Sequence, residues 1–135
     1  AFDFGTKRIG AAVGETAIGI AHPLTTIHAP DKQRRYAAIE ALIREWKPAL
    51  LVVGLPSHLD GTEHEISRLA RKFADELTRR FMLPVEFIDE RLTSAAAESS
   101  LHESGVAAGK HKALVDAVAA QHILQDFLDR HGRSS

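Results

Sequence analysis

Hydrophobic positions in the first part of the chain have the spacing of short β-strands joined by tight turns. Residues 1–4 form an apolar run that ends at Gly5, and residues 9–13 form a second run that can return beside the first. Residues 18–29 alternate and are rich in β-branched side chains, although Pro23 favours an edge position or a bulge there. These runs predict a three-stranded antiparallel meander.

The pattern then changes to a helical period. Apolar side chains in residues 32–46 fall on one arc of a helical wheel, and Pro48 follows as a stop signal. Residues 49–53 are continuously apolar, which is typical of a parallel strand covered on both faces. The remaining predicted elements are a helix that opens with the capping-box spacing of Thr62 and Glu65, a strand at 85–89 and a last helix over about 112–129.

This order of elements predicts an α/β fold. The meander and two parallel strands would form a five-stranded mixed sheet flanked by helices. Because no linker or low-complexity segment divides the chain, residues 1–135 are predicted to form one domain.

Composition narrows the class of protein. The chain is 44% hydrophobic and 26% charged, which is typical of a globular protein. It has no cysteine, which excludes disulfides, thiolate zinc sites and cysteine nucleophiles. With no signal peptide and no membrane-length apolar run, we expect a cytoplasmic protein without a membrane partner. The net charge of −1 gives no bulk argument for nucleic-acid binding, so any such role must rest on local clusters.

Acidic residues occur at positions where a carboxylate is costly. Asp3 lies within the first apolar run, and an unpaired buried carboxylate there would be expensive. Asp89 and Glu90 close the strand at 85–89. Because side chains alternate along a strand, at most one of them shares the face of Ile88; we favour Glu90, although alternation alone leaves the choice open.

Asp116 lies in the apolar stripe of the last helix, on the side that would face the sheet. An acid near a helix N-terminus can simply be favoured by the helix dipole, but it need not then face inward. The predicted architecture allows Asp116 to meet Asp3 and the acid that ends the fifth strand.

Three clustered carboxylates stay ionised only if cations neutralise them. With no thiolates and no paired histidine spacing, Mg²⁺ or Mn²⁺ held by oxygen ligands is the natural choice. Two such ions, roughly 3.5–4 Å apart, can activate water and stabilise the leaving oxygen in phosphodiester hydrolysis. The acids therefore predict a divalent-metal site whose chemistry would suit phosphodiester hydrolysis.

Four segments of the chain resemble the successive signature segments of the YqgF/RuvX family. They are DFGTKRIGAAV, LLVVGLPSHLDGTE, DERLTS and KALVDAVAAQHIL, in the expected order over nearly the whole chain. The resemblance implies an RNase H-like fold and a divalent-metal nuclease that matures the 5′ end of small-subunit ribosomal RNA; some members are described instead as Holliday-junction resolvases. It also implies that Asp3, Glu90 and Asp116 are the catalytic, metal-binding acids, with Asp89 as a fourth ligand.

Basic residues beside these acids are the candidates for nucleic-acid binding. Lys7 and Arg8 follow the turn after Asp3, and Arg91 follows Glu90; each could hold a phosphate, the rival for Arg91 being an ion pair with a neighbouring acid. Lys110 and Lys112 precede Asp116 and could follow a nucleic-acid backbone.

Other functions remain open from the sequence alone. The segment DFGTKRIG also resembles the first phosphate loop of actin and sugar-kinase ATPases, but those enzymes bind ATP between two such domains in a much longer chain. A non-catalytic nucleic-acid-binding ribosome-assembly factor is a second alternative, against which the retained acids argue. A resolvase would need a homodimer with twofold-related sites, whereas an RNA-processing enzyme could be a monomer.

Overall fold

The computed structural model describes residues 1–28, 31–55, 65–89 and 108–131, with side chains in the last segment described from 115 to 130. These residues form five strands and three helices. The strands are β1 (Phe2–Asp3), β2 (Arg8–Glu15), β3 (Ile20–His28), β4 (Leu51–Leu55) and β5 (Val85–Asp89). The helices are α1 (Lys32–Trp46), α2 (Glu65–Phe81) and α3 (Ala108–His131).

The strands form one mixed sheet in the order β3-β2-β1-β4-β5. β1, β2 and β3 pair antiparallel, whereas β4 pairs parallel to β1 and β5 parallel to β4. This arrangement confirms the predicted α/β class and the meander, and it places the strand that contains Asp3 at the centre of the sheet.

Each face of the sheet has its own apolar core, because successive side chains on a strand point to opposite faces. On one face, α1 and α2 cover Phe2, Phe4 and Val53, and the ring of Phe73 in α2 lies 5.9 Å from that of Phe2 and 5.0 Å from that of Phe4. On the other face, α3 is the described helix that packs on the sheet, with buried contacts from Ala120, Ile123, Leu124, Phe127 and Leu128.

Helix α3 is also fastened to the sheet by side-chain amides. Gln125 Oε1 accepts from the backbone N–H of Ala21 at 2.9 Å, and its Nε2 donates to the carbonyl of Gly19 at 2.8 Å. Gln121 Nε2 donates to the carbonyl of Ala21 at 3.0 Å. These bonds fix the position of α3 along the sheet.

Several element boundaries agree with the sequence pattern and others differ. The bounds of α1 and β5 are as predicted, whereas α3 begins at Ala108 rather than near residue 112. Trp46 falls on the apolar arc of α1, yet 46% of its surface is exposed because the helix ends there. The helix predicted from Thr62 begins, within the described residues, at Glu65. No described helix meets the length and apolarity needed to cross a bilayer.

Gly10 in β2 is where α3 comes closest to the sheet. A Cβ atom built on Gly10 would lie 1.8 Å from the backbone carbonyl oxygen of Asp116, far inside van der Waals contact. Only a residue without a side chain permits this approach. Gly10 therefore sets the position of Asp116 relative to the sheet.

We expect Gly10→Ala to lower the free energy of unfolding by roughly 3 kcal/mol or more, because the helix backbone must move away from the strand. Gly14→Ala is the matched control in the same strand. Its Cβ would meet the Ile20 carbonyl oxygen at 3.0 Å and leucine methyl groups of α3 at 3.1–3.2 Å, so a smaller loss is expected. Urea unfolding measures both; equal losses would contradict the close approach at Gly10.

Candidate functional site

An open cleft of about 280 Å³ lies at the end of β1, where the chain turns towards β2. Its floor and walls come from the end of β1, the turn, the start of β2 and one residue of α3. The lining residues are Asp3, Phe4, Gly5, Thr6, Lys7, Arg8 and Asp116. Two of the sequence-predicted acids, separated by more than a hundred positions, thus share one cleft.

Asp3 is half-buried, and its paired neighbour on each of the two adjacent strands is a glycine. It pairs with Gly10 of β2 and with Gly54 of β4. Directly paired residues lie on the same face, so the two nearest lateral positions contain no side chain. On the Gly10 side the place of that side chain is taken by the backbone of Asp116, which brings α3 directly beside Asp3.

Asp116 enters the same cleft from α3 and is largely shielded from solvent. Its side chain is 17% exposed, and Oδ2 is buried without a hydrogen-bond partner among the described residues. The Nε of Arg8 lies 3.0 Å from Oδ2, which is close enough for an ion pair. We conclude that the two groups attract each other electrostatically without the alignment of a hydrogen bond.

Burial raises the pKa of the Asp116 carboxyl, and the positive charges of Arg8 and His28 oppose that rise. Arg8 and His28 are paired neighbours at the start of β2 and the end of β3. Because paired residues share a face, both side chains lie on the side of the sheet that Asp116 faces. Burial outweighs these charges, so the ionised acid is held at a free-energy cost.

The turn between β1 and β2 is held by a residue of α1. Arg35 Nη2 donates to the carbonyl of Thr6 at 2.9 Å, and its guanidinium lies 5.8 Å from the centre of the Phe4 ring. This contact fixes the segment from which Lys7 and Arg8 extend. Sequence reasoning missed Arg35, because nothing in the basic start of α1 indicates that it reaches Thr6.

The structure of β5 decides part of the choice between Asp89 and Glu90, which the alternation of side chains alone had left open. Val85 packs in the core under α1 and α2, whereas Ile88 packs against α3. Asp89 lies an even number of residues from Val85 and therefore on the same face as Val85 (the same parity along the strand). It points to the opposite face from Asp3 and does not join Asp3 and Asp116. Glu90 lies outside the described residues and stays a prediction.

A family model described as "RuvX: Holliday junction resolvase" matches residues 1–130 of the chain. The chain belongs to the RuvX family. This confirms the resemblance that the four sequence segments indicated.

Relatives cover nearly the whole chain. A protein from Thiobacillus denitrificans named "Putative pre-16S rRNA nuclease" is 61% identical over 129 residues, which are 96% of this chain and 89% of the relative. Proteins of the same name from Dechloromonas aromatica and Methylobacillus flagellatus are 60% and 57% identical, covering 96% and 95% of this chain and 88% of each relative.

The residues of this RuvX-family cleft fit a hard divalent cation. Asp3 and Asp116 line it with carboxylate oxygens, the donors that such a cation prefers, and a buried carboxylate oxygen without a hydrogen bond is the kind of atom a cation satisfies. Within the ranges that the structure describes, no group of three acidic or histidine side chains is close enough to hold a metal. A third protein ligand would therefore come from outside those ranges, as predicted for Glu90.

The predicted nucleic-acid-binding residues are distributed unevenly around the cleft. Lys7 is exposed at its edge, and Arg8 is paired with Asp116. Arg91 lies outside the described residues. Lys110 and Lys112 lie in the first turns of α3, but their side chains are outside the described part of the chain. The roles of these five residues stay predictions.

We expect Asp116→Asn to become increasingly more stable than the parent RuvX-family chain as pH rises from about 4 to about 7 in EDTA. Because the folded-state pKa of Asp116 is raised, the parent chain loses stability as pH rises through the unfolded and then the folded pKa, whereas the amide does not titrate. Urea unfolding at each pH measures the difference. Asp126→Asn, an acid paired with Arg130 on the same helix, is the control. A difference that shrinks with pH would refute this account.

Proposed function

We propose that this protein is a divalent-metal-dependent nuclease that hydrolyses a phosphodiester bond in structured nucleic acid. The main support is the meeting of Asp3 and Asp116 in one cleft, with a buried carboxylate oxygen that makes no hydrogen bond among the described residues. A carboxylate pair repels phosphate, so a protein that only bound nucleic acid would gain nothing from it.

In this proposal Asp3, Asp116 and Glu90 hold Mg²⁺ or Mn²⁺, as one ion or a pair. The bound cation would neutralise the acids, lower the pKa of a water molecule and stabilise the leaving oxygen. The open cleft that Asp3 and Asp116 line would admit the scissile phosphate. Lys7, exposed at the edge of the cleft, supplies positive charge to hold a non-bridging or flanking phosphate oxygen.

We propose the precursor of 16S rRNA as the substrate, and a cytoplasmic site of action. The names of the relatives from Thiobacillus denitrificans and Dechloromonas aromatica, at 61% and 60% identity, support this choice. Cleavage of a four-way DNA junction is the second candidate function, because the family description names a Holliday junction resolvase. That reaction would require a homodimer, whereas RNA processing is compatible with a monomer.

We expect Asp3→Asn, Glu90→Gln and Asp116→Asn each to reduce cleavage on the order of a hundredfold or more, because each removes a ligand charge. The assay is single-turnover cleavage of end-labelled RNA with Mg²⁺ or Mn²⁺, each protein checked for its fold by circular dichroism. Asp126→Asn controls for loss of an acid from α3 outside the cleft. Equal cleavage by Asp3→Asn and the parent would indicate that the cleavage comes from a contaminating nuclease and that this protein only binds nucleic acid.

We expect precursor 16S rRNA to be cut at a defined position near its 5′ end, and a four-way DNA junction to be cut much more slowly. Both substrates share the same metal chemistry, so only a direct competition distinguishes them. The competition is run at equal concentration, with sedimentation velocity to measure the oligomeric state. Symmetric cutting of the junction by a dimer, with the RNA left intact, would replace the ribosomal assignment with the resolvase.

A further inference from the structure

Arg8 and Asp116 form a contact that a metal-bound site would have to break or rearrange. The guanidinium Nε lies 3.0 Å from Oδ2, the same buried oxygen that lacks a hydrogen bond in the described part of the chain. A cation that used Oδ2 as a ligand would sit within about 2–2.5 Å of it. A guanidinium 3.0 Å from the same oxygen competes with a divalent cation for its lone pairs, and their like charges repel.

The surroundings hold Asp116 more firmly than Arg8. The backbone of Asp116 is pressed against Gly10, and Gln121 and Gln125 tie α3 to Ala21 of β3, so the backbone that carries the acid is held in place. The side chain of Arg8 is 38% exposed and lies at the first position of β2, beside the open cleft. When the two separate, the arginine is the group that moves.

We propose that Arg8 is a positioning residue that neutralises Asp116 while the cleft holds no divalent cation, and that metal binding displaces its guanidinium towards the substrate phosphate. This inference rests on the proposed metal site. It gives Arg8 two alternative anionic partners, the Asp116 carboxylate before metal binding and a phosphate oxygen after it. Arginine suits both, since it pairs with carboxylate and phosphate alike.

Metal affinity of the protein without nucleic acid is the direct test. Calorimetric titration of Mn²⁺ at one fixed pH compares the parent chain with Arg8→Gln. We expect Arg8→Gln to bind Mn²⁺ roughly tenfold more tightly, which corresponds to about 1.4 kcal/mol, because the competing cation is gone.

Lys7→Gln is the matched control, since it removes the same charge from the same cleft without removing a described contact to Asp116. We expect a gain of about twofold or less from that general charge effect. Arg8→Lys keeps the charge but loses the Nε contact, so we expect its affinity to lie between those of the parent and Arg8→Gln. Affinity for Mn²⁺ in Arg8→Gln that is no higher than in Lys7→Gln would overturn the inference.

Movement of Arg8 can be observed in the parent chain itself. Proton–nitrogen spectra of the arginine Nε–H groups are recorded while Mg²⁺ is added, and the Arg8 signal is assigned from Arg8→Lys. We expect that signal to shift as metal binds. An Arg8 signal that stays in place at saturating Mg²⁺ would overturn displacement while leaving the nuclease proposal intact. If neither the parent nor Arg8→Gln bound metal, both the proposed function and this inference would fail.

Discussion

The contact between the backbone of Asp116 and Gly10 is the constraint on which the candidate site depends. It brings α3 closer to the sheet than any side chain at position 10 would allow. A Cβ atom at that position would lie 1.8 Å from the carbonyl oxygen of Asp116. Gly10 is also the paired neighbour of Asp3. The missing side chain therefore admits the helix backbone beside Asp3, so that two distant acids share a cleft.

This packing has a cost in stability. Burial raises the pKa of Asp116, which means that the ionised acid is worse solvated in the fold than in the unfolded chain. Arg8 and His28 offset part of the cost, since both lie on the side of the sheet that Asp116 faces. A site that tolerates charge of both signs at close range suits a reaction on phosphodiesters, where a cation and an anionic substrate enter together.

Local pattern was sufficient to predict most elements but not their long-range contacts. The apolar arc and the following Pro48 define α1, and alternation defines β5, because both signals are contained in the segment itself. The start of α3 differs from the prediction because the helix continues through Gly109, a residue of low helix propensity. The partners of Gly10 and the reach of Arg35 to Thr6 depend on how separate elements dock. No periodicity within one segment encodes such contacts.

The parity of β5 shows how one structural fact can narrow a chemical assignment. Gly54 pairs with both Asp3 and Ile88, so these residues share a face of the sheet, the one that α3 covers. A strand residue that joins Asp3 must have the parity of Ile88, which Asp89 lacks. The cation-π contact of Phe87 with Arg71 of α2 independently places that opposite parity on the other face. Asp89 therefore does not compete with Glu90 as the proposed third ligand. The negative charge of the proposed metal site then comes from three carboxylates. Arg8, which is paired with one of them, is the described cation closest to that charge.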